Sequence, residues 1–157
     1  MSNIKFNKGL NFEQDISAEA LPTGLNAEQE SHFAMLGRFA KSAWLKNQFT
    51  DITVKIGDKN IRAHSVVLGA HSVFFDDYFS QMYDRPNMRH VPEVTLPTDV
   101  ITVPIFQKIL EYMYTAEFTG TVEEVKEIHK ASEVLKVDNL TELCKQFLME
   151  KTGELVQ

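Results

Sequence analysis

Between Phe49 and Phe79 the alternation of apolar and polar side chains changes period twice over a short span. Ile52, Val54 and Ile56 alternate with Thr53 and Lys55, the period of a strand buried on one face. Gly57-Asp58 supplies a turn, and Ile61 with Ala63 resumes the alternation, so the spacing predicts a hairpin. From Ser65 the pattern breaks: Val66, Val67 and Leu68 are contiguous, too dense for a half-exposed strand, and a short buried helix is predicted. Ser72 is placed to cap a second helix, on which Phe74, Phe75, Tyr78, Phe79 and Met82 share one face.

Upstream, Asn26 and Gln29 have the spacing of a capping box, which predicts a helix running to about Asn47. On that helix Phe33, Met35, Leu36, Phe39, Ala40, Ala43 and Trp44 spread over about half the circumference, wider than the ~100° stripe that one core contact needs. Two readings follow. Either the domain's own sheet and helices fill the whole arc, or a second subunit covers part of it, because large apolar side chains left in water make an adhesive patch. Cover by a second subunit is the expectation. Residues 1 to 25 are polar around a brief Ile4 and Phe6 alternation, and read either as a flexible tail or as an extra edge strand at Asn3 to Asn7 that pairs with a second subunit.

Downstream, Pro86, Asn87 and Pro92 mark Gln81 to Pro92 as loop, and Glu93 to Leu96 is a predicted short strand. Pro104 suits the first turn of a helix, where its missing N–H would be unpaired anyway, and Phe106, Ile109, Leu110, Met113 and Tyr114 give that helix one face ending near Thr115. Glu117 to Thr119 reads as a short edge strand. Thr121 and Glu124 form a second capping box, with Val125, Ile128, Ser132 and Leu135 following at helical spacing. Asp138 is the expected cap of a last helix, with Leu140, Leu143, Cys144, Phe147 and Leu148 inward, and residues 151 to 157 form a polar, frayed tail.

One domain, over residues 26 to 150, is the expectation for 157 residues with ordinary globular composition. A net charge of -6 argues against nucleic-acid binding through this surface, since phosphate contacts need clustered Lys and Arg. The single cysteine, Cys144, cannot form an internal disulfide and falls at a helical core position, which points to a reducing, intracellular compartment, cytoplasmic or nuclear. No apolar run approaches the ~18 residues of a membrane helix, and the polar start is not a secretory signal, so a soluble protein is expected.

Catalytic chemistry finds little support. His64-Ser65 and His71-Ser72 invite a nucleophile or metal reading, but no carboxylate or third ligand stands at a supporting spacing. His64 is expected to pack at the strand-to-helix junction with local hydrogen bonds. Asp76-Asp77 falls in the first turn of a helix, where the dipole favours negative charge. The seven glycines are scattered and form no phosphate loop. No enzyme activity, cofactor, metal or small-molecule substrate is expected.

Several of these features together resemble the BTB/POZ domain, an intracellular protein-interaction module. They are Asp51 before the first strand, Ala63-His64 at the end of the second, Val67-Leu68 with Ala70 and Ser72 in the next helix, the Phe74-Phe75 pair, and Tyr112-Met113-Tyr114-Thr115. The resemblance spans residues 28 to 149. It implies an α+β fold with a small, mainly antiparallel sheet flanked by helical hairpins, and a long N-terminal helix at a homodimer interface. Phe33, Met35, Leu36, Phe39, Ala40 and Ala43 are the residues assigned to that interface. In family members that recruit the cullin-3 scaffold of ubiquitin ligases, the region after the Ser72 helix binds the scaffold and often carries a hydrophobic residue, any residue, then Glu. Tyr83-Asp84-Arg85 stands in register without the acid, and Met82-Tyr83-Asp84 has the right character one residue early. Tyr78, Met82, Tyr83, Asp84 and Tyr114 are accordingly the candidate partner-binding residues, set against simple core packing. In the family's transcription factors an Asp and a basic residue after the His form a charged pocket near the dimer groove. Asp51 matches and Ser65 stands at the basic position, while an alternative role for Asp51 is to accept bonds from nearby backbone N–H groups. The expected function is homodimerisation and scaffolding, as a cullin-3 ubiquitin ligase adaptor or as the dimerisation module of a transcription or chromatin regulator.

Overall fold

A computed structural model of the chain describes residues 24–83 and 92–153. It comprises two compact units, Met1–Leu36 and Gly37–Gln157. The dividing point lies inside the first helix, α1 (Ala27–Leu45). The expected edge strand at Asn3 to Asn7, most of the loop before Pro92 and the end of the C-terminal tail lie outside the described residues.

In the first unit the described residues are 24–36. The Asn26 side chain accepts from the Gln29 N–H at 2.8 Å while the Gln29 side chain accepts from the Asn26 N–H at 3.0 Å, so the capping box forms. Glu28 and Glu30 add negative charge to that first turn, where the helix dipole favours it.

The second unit holds the hydrophobic core. After α1 the chain turns through Asn47 and Phe49, both with left-handed φ of 54° and 59°. Strands β1 (Ile52–Ile56) and β2 (Lys59–Ala63) form the predicted antiparallel hairpin, with Ile52 opposite Ala63 and Ile56 opposite Lys59. Gly57 takes a φ of 62°, a left-handed turn position that any Cβ would strain. Two helices follow, α2 (Ser65–His71) and α3 (Val73–Tyr83), and then β3 (Glu93–Thr95). β3 pairs parallel to β1, so the sheet order is β2-β1-β3 and the antiparallel hairpin is joined by one parallel pairing. A parallel neighbour needs a long crossover, which the chain between β2 and β3 provides. The central strand is covered on both faces: Thr53 is buried along with Ile52 and Val54, and its hydroxyl accepts from Arg62 Nη1 at 2.8 Å.

Helix α4 (Val103–Thr115) supplies the largest share of the core, with Ile105, Phe106, Ile109, Leu110, Tyr112, Met113 and Tyr114 all buried. Thr102 caps it, Pro104 sits in its first turn, and it stops at Ala116 in the left-handed region. α5 (Val122–Val134) starts with both bonds of the Thr121/Glu124 capping box, and α6 (Asp138–Thr152) ends at Gly153 with φ 73°. Ser72 links distant parts of this arrangement. Its hydroxyl accepts from the Phe75 N–H at 3.1 Å, capping α3, and donates to the Leu135 carbonyl at 2.6 Å, tying α3 to the turn between α5 and α6.

Five local expectations need correction. α2 is only partly covered, with Leu68 buried and Val66 77% exposed. Gln81, Met82 and Tyr83 continue α3 rather than beginning a loop. Glu117 to Thr119 is not a strand: the Thr119 carbonyl accepts instead from Lys108 Nζ at 2.8 Å. Asp138 is the first helical residue of α6, not its cap, since Val137 occupies the cap position. Leu143 is largely outside the core, whereas Leu140, Cys144 and Leu148 are within it.

Phe75 has no exposed surface and its ring lies 6.0 Å from Phe79 and 6.4 Å from Phe106. Phe75→Ala is expected to destabilise the fold by about 3–5 kcal/mol through lost burial and the cavity left behind, measured by denaturant unfolding. A change below about 1 kcal/mol would show that the three rings are not the core's centre.

Candidate interaction surfaces

His64 sits where β2 passes into α2, and only 8% of it is exposed. Its backbone N–H donates to the Tyr114 hydroxyl at 3.1 Å, Nδ1 lies 2.6 Å from the same hydroxyl, and Nε2 lies 2.7 Å from the Gln48 carbonyl. A carbonyl can only accept, so Nε2 carries the proton and Nδ1 accepts from the tyrosine. Both ring nitrogens are thereby occupied, which leaves His64 no free atom for a nucleophile relay or a metal. Tyr114 in turn stacks on Trp44, with centroids 4.8 Å apart and planes 4° from parallel. Tyr114 is therefore a buried strut between α4, the end of β2 and the end of α1, not an exposed anchor for a partner. Burial pushes its hydroxyl up to about 12, an effect partly offset by the bond from the His64 N–H and reinforced by the Asp51 charge.

Asp51 is exposed and engaged. Oδ1 accepts from the Ser65 N–H at 2.7 Å and Oδ2 from the Ser65 hydroxyl at 2.6 Å. His64, at the cap position of α2, makes no side-chain capping bond, so Asp51 performs that service from fourteen residues upstream. The residue at the expected basic position thus itself satisfies the acid.

On α3, Tyr78 is half-buried and its hydroxyl donates to the Glu93 carbonyl, while Met82 is half-buried further along the helix. Tyr78 and Met82 thus share a helix without being freely exposed. The Tyr83 side chain and Asp84 lie outside the described residues. A cleft opens between the α2–α3 corner and the start of α6, lined by His71, Asp76, Lys136 and Asn139 among others. Burial lowers the His71 pKa, against a raising contribution from a bond to the Met113 backbone. No group of three His, Cys, Asp or Glu able to hold a metal occurs among the described residues. No helix there is long and apolar enough to cross a membrane.

The broadest apolar exposure is on α1. Phe33 is 58% exposed, Met35 58%, Leu36 68% and Phe39 63%, whereas Ala40 is half-buried and Ala43 is buried. Ala43 shares a helix face with Leu36 and Phe39, so coverage depends on position along the axis rather than on face. Near the end of α1, Ala43 is buried within its own unit and Trp44 meets Tyr114. Phe49, 73% exposed, stacks on Phe39 at 5.8 Å and extends the apolar surface. Spacing alone gives no sign of this second aromatic, because Phe49 belongs to neither periodic segment.

The match of a family model decides the relationship: the BTB/POZ domain model fits residues 40–152. This chain belongs to the BTB/POZ family. The matched stretch begins at Ala40, within α1. Similar curated proteins include zinc finger and BTB domain-containing protein 18.3 of Xenopus laevis, 31% identical over 101 residues, which are 64% of this chain and 18% of that protein. Zinc finger and BTB domain-containing protein 14 of Gallus gallus is 31% identical over 102 residues, 65% of this chain and 21% of that protein. The chain thus spans about a fifth of the length of these relatives. Among solved structures, the BTB domain of zebrafish PATZ1 matches with a TM-score of 0.65 at 20% identity, covering 83% of this chain and 100% of that one. That likeness shows the α+β BTB/POZ fold.

Alkaline stability tests the buried groups. Cys144, fully buried, has its thiol pushed up to about 12 by desolvation, and Tyr114 its hydroxyl to about 12. The folded state favours both neutral forms, so their contribution is complete below the unfolded values of 9.0 and 10.0 and is lost as pH rises towards 12. Thermal melts should hold level up to about pH 9 and then fall, with Cys144→Ala moving the onset towards about pH 10. An unchanged onset in that variant would contradict the assignment.

Proposed function

We propose that this BTB/POZ chain is a homodimerising protein-interaction module, with the first turns of α1 as its self-association face. The observation that carries the reading is the 58–68% exposure of Phe33, Met35, Leu36 and Phe39. Full burial of such side chains brings about 1.5–3 kcal/mol each, so eight of them across a symmetric pair, already partly covered, supply roughly 7–14 kcal/mol. Association costs about 4–15 kcal/mol in lost freedom, so the patch is of the size that makes a dimer, provided the rim also contributes.

The output of that dimer is apposition of partners, with no reaction of its own and no cofactor, in an intracellular setting. The names of the relatives pair this domain with zinc fingers, which favours a dimerisation module of a transcription or chromatin regulator. A second reading, adaptor for a cullin-3 ubiquitin ligase, draws on Met82, half-exposed towards the end of α3 and close to the region that meets the scaffold in recruiting members of the family. Two scaffolds on one dimer would raise local concentration at a bound substrate.

Sedimentation at micromolar concentration should give a dimer, and Leu36→Asp with Phe39→Asp a folded monomer with unchanged far-ultraviolet dichroism. A monomeric wild type would overturn the proposal. Capture of the cullin-3 amino-terminal region by the wild type, lost in Met82→Ala, would establish the adaptor role; no capture would favour the regulator.

A further inference from the structure

We draw no further inference here: the strongest candidate, the cleft between the α2–α3 corner and the start of α6, is bordered by acidic and basic side chains alike at Asp76, Lys136 and Asp138, and nothing in the structure shows what occupies it.

Discussion

The buried hydroxyl of Tyr114 is the constraint on which the rest of the second unit is arranged. It accepts from the His64 N–H and donates to the His64 ring, while the ring beneath it stacks on Trp44 and the far side of His64 donates to the Gln48 carbonyl. Three stretches distant in sequence are joined there: the end of α1 with the chain just after it, the β2–α2 junction and the end of α4. Because each polar atom of the group has a partner, the cluster stays buried without the desolvation cost of an unmatched group. It also occupies both ring nitrogens of His64.

Anchoring α1 at one end has a direct consequence for its apolar arc. Past Ala40 the apolar arc is covered at Ala43 and in part at Trp44, whereas Phe33, Met35, Leu36 and Phe39 are exposed among the described residues, although the same faces are involved. The family match starts at the same place. The breadth of the arc, which first pointed to two covering surfaces, therefore divides by height rather than by angle. Phe39 and Phe49 mark the edge of the uncovered part, and the left-handed backbone at Phe49 holds an aromatic ring in the open, an arrangement that a bulky residue adopts only where its surroundings enforce it.

Most of the fold was legible because local rules agreed with one another. The hairpin, both capping boxes, the Ser72 cap and the Pro104 start each follow from short-range chemistry, and each is present. The parallel pairing of β3 was hidden because so short a strand carries no orientation, and its direction is fixed by two intervening helices. Glu117 to Thr119 has the composition of a strand but a lysine claims its carbonyl, and Asp138 enters α6 one residue later than a cap would. At the candidate sites, the resemblance to the BTB/POZ domain placed Tyr114 and Asp51 among the notable residues but not what they touch. A tyrosine on an apolar helix face can equally be anchor or strut, and the decision came from Trp44 and His64, both remote from it in sequence. The Asp51 bond to Ser65 likewise joins residues that no periodic pattern connects.

The central claim is that α1 is completed at one end by its own chain and at the other by a second copy. Amide hydrogen exchange of the wild-type protein, followed from nanomolar to tens of micromolar concentration, tests it directly. Protection of amides in residues 41–45 should be independent of concentration, while that in residues 28–37 should rise as the chains associate. Equal and concentration-independent protection along the whole helix would contradict the account.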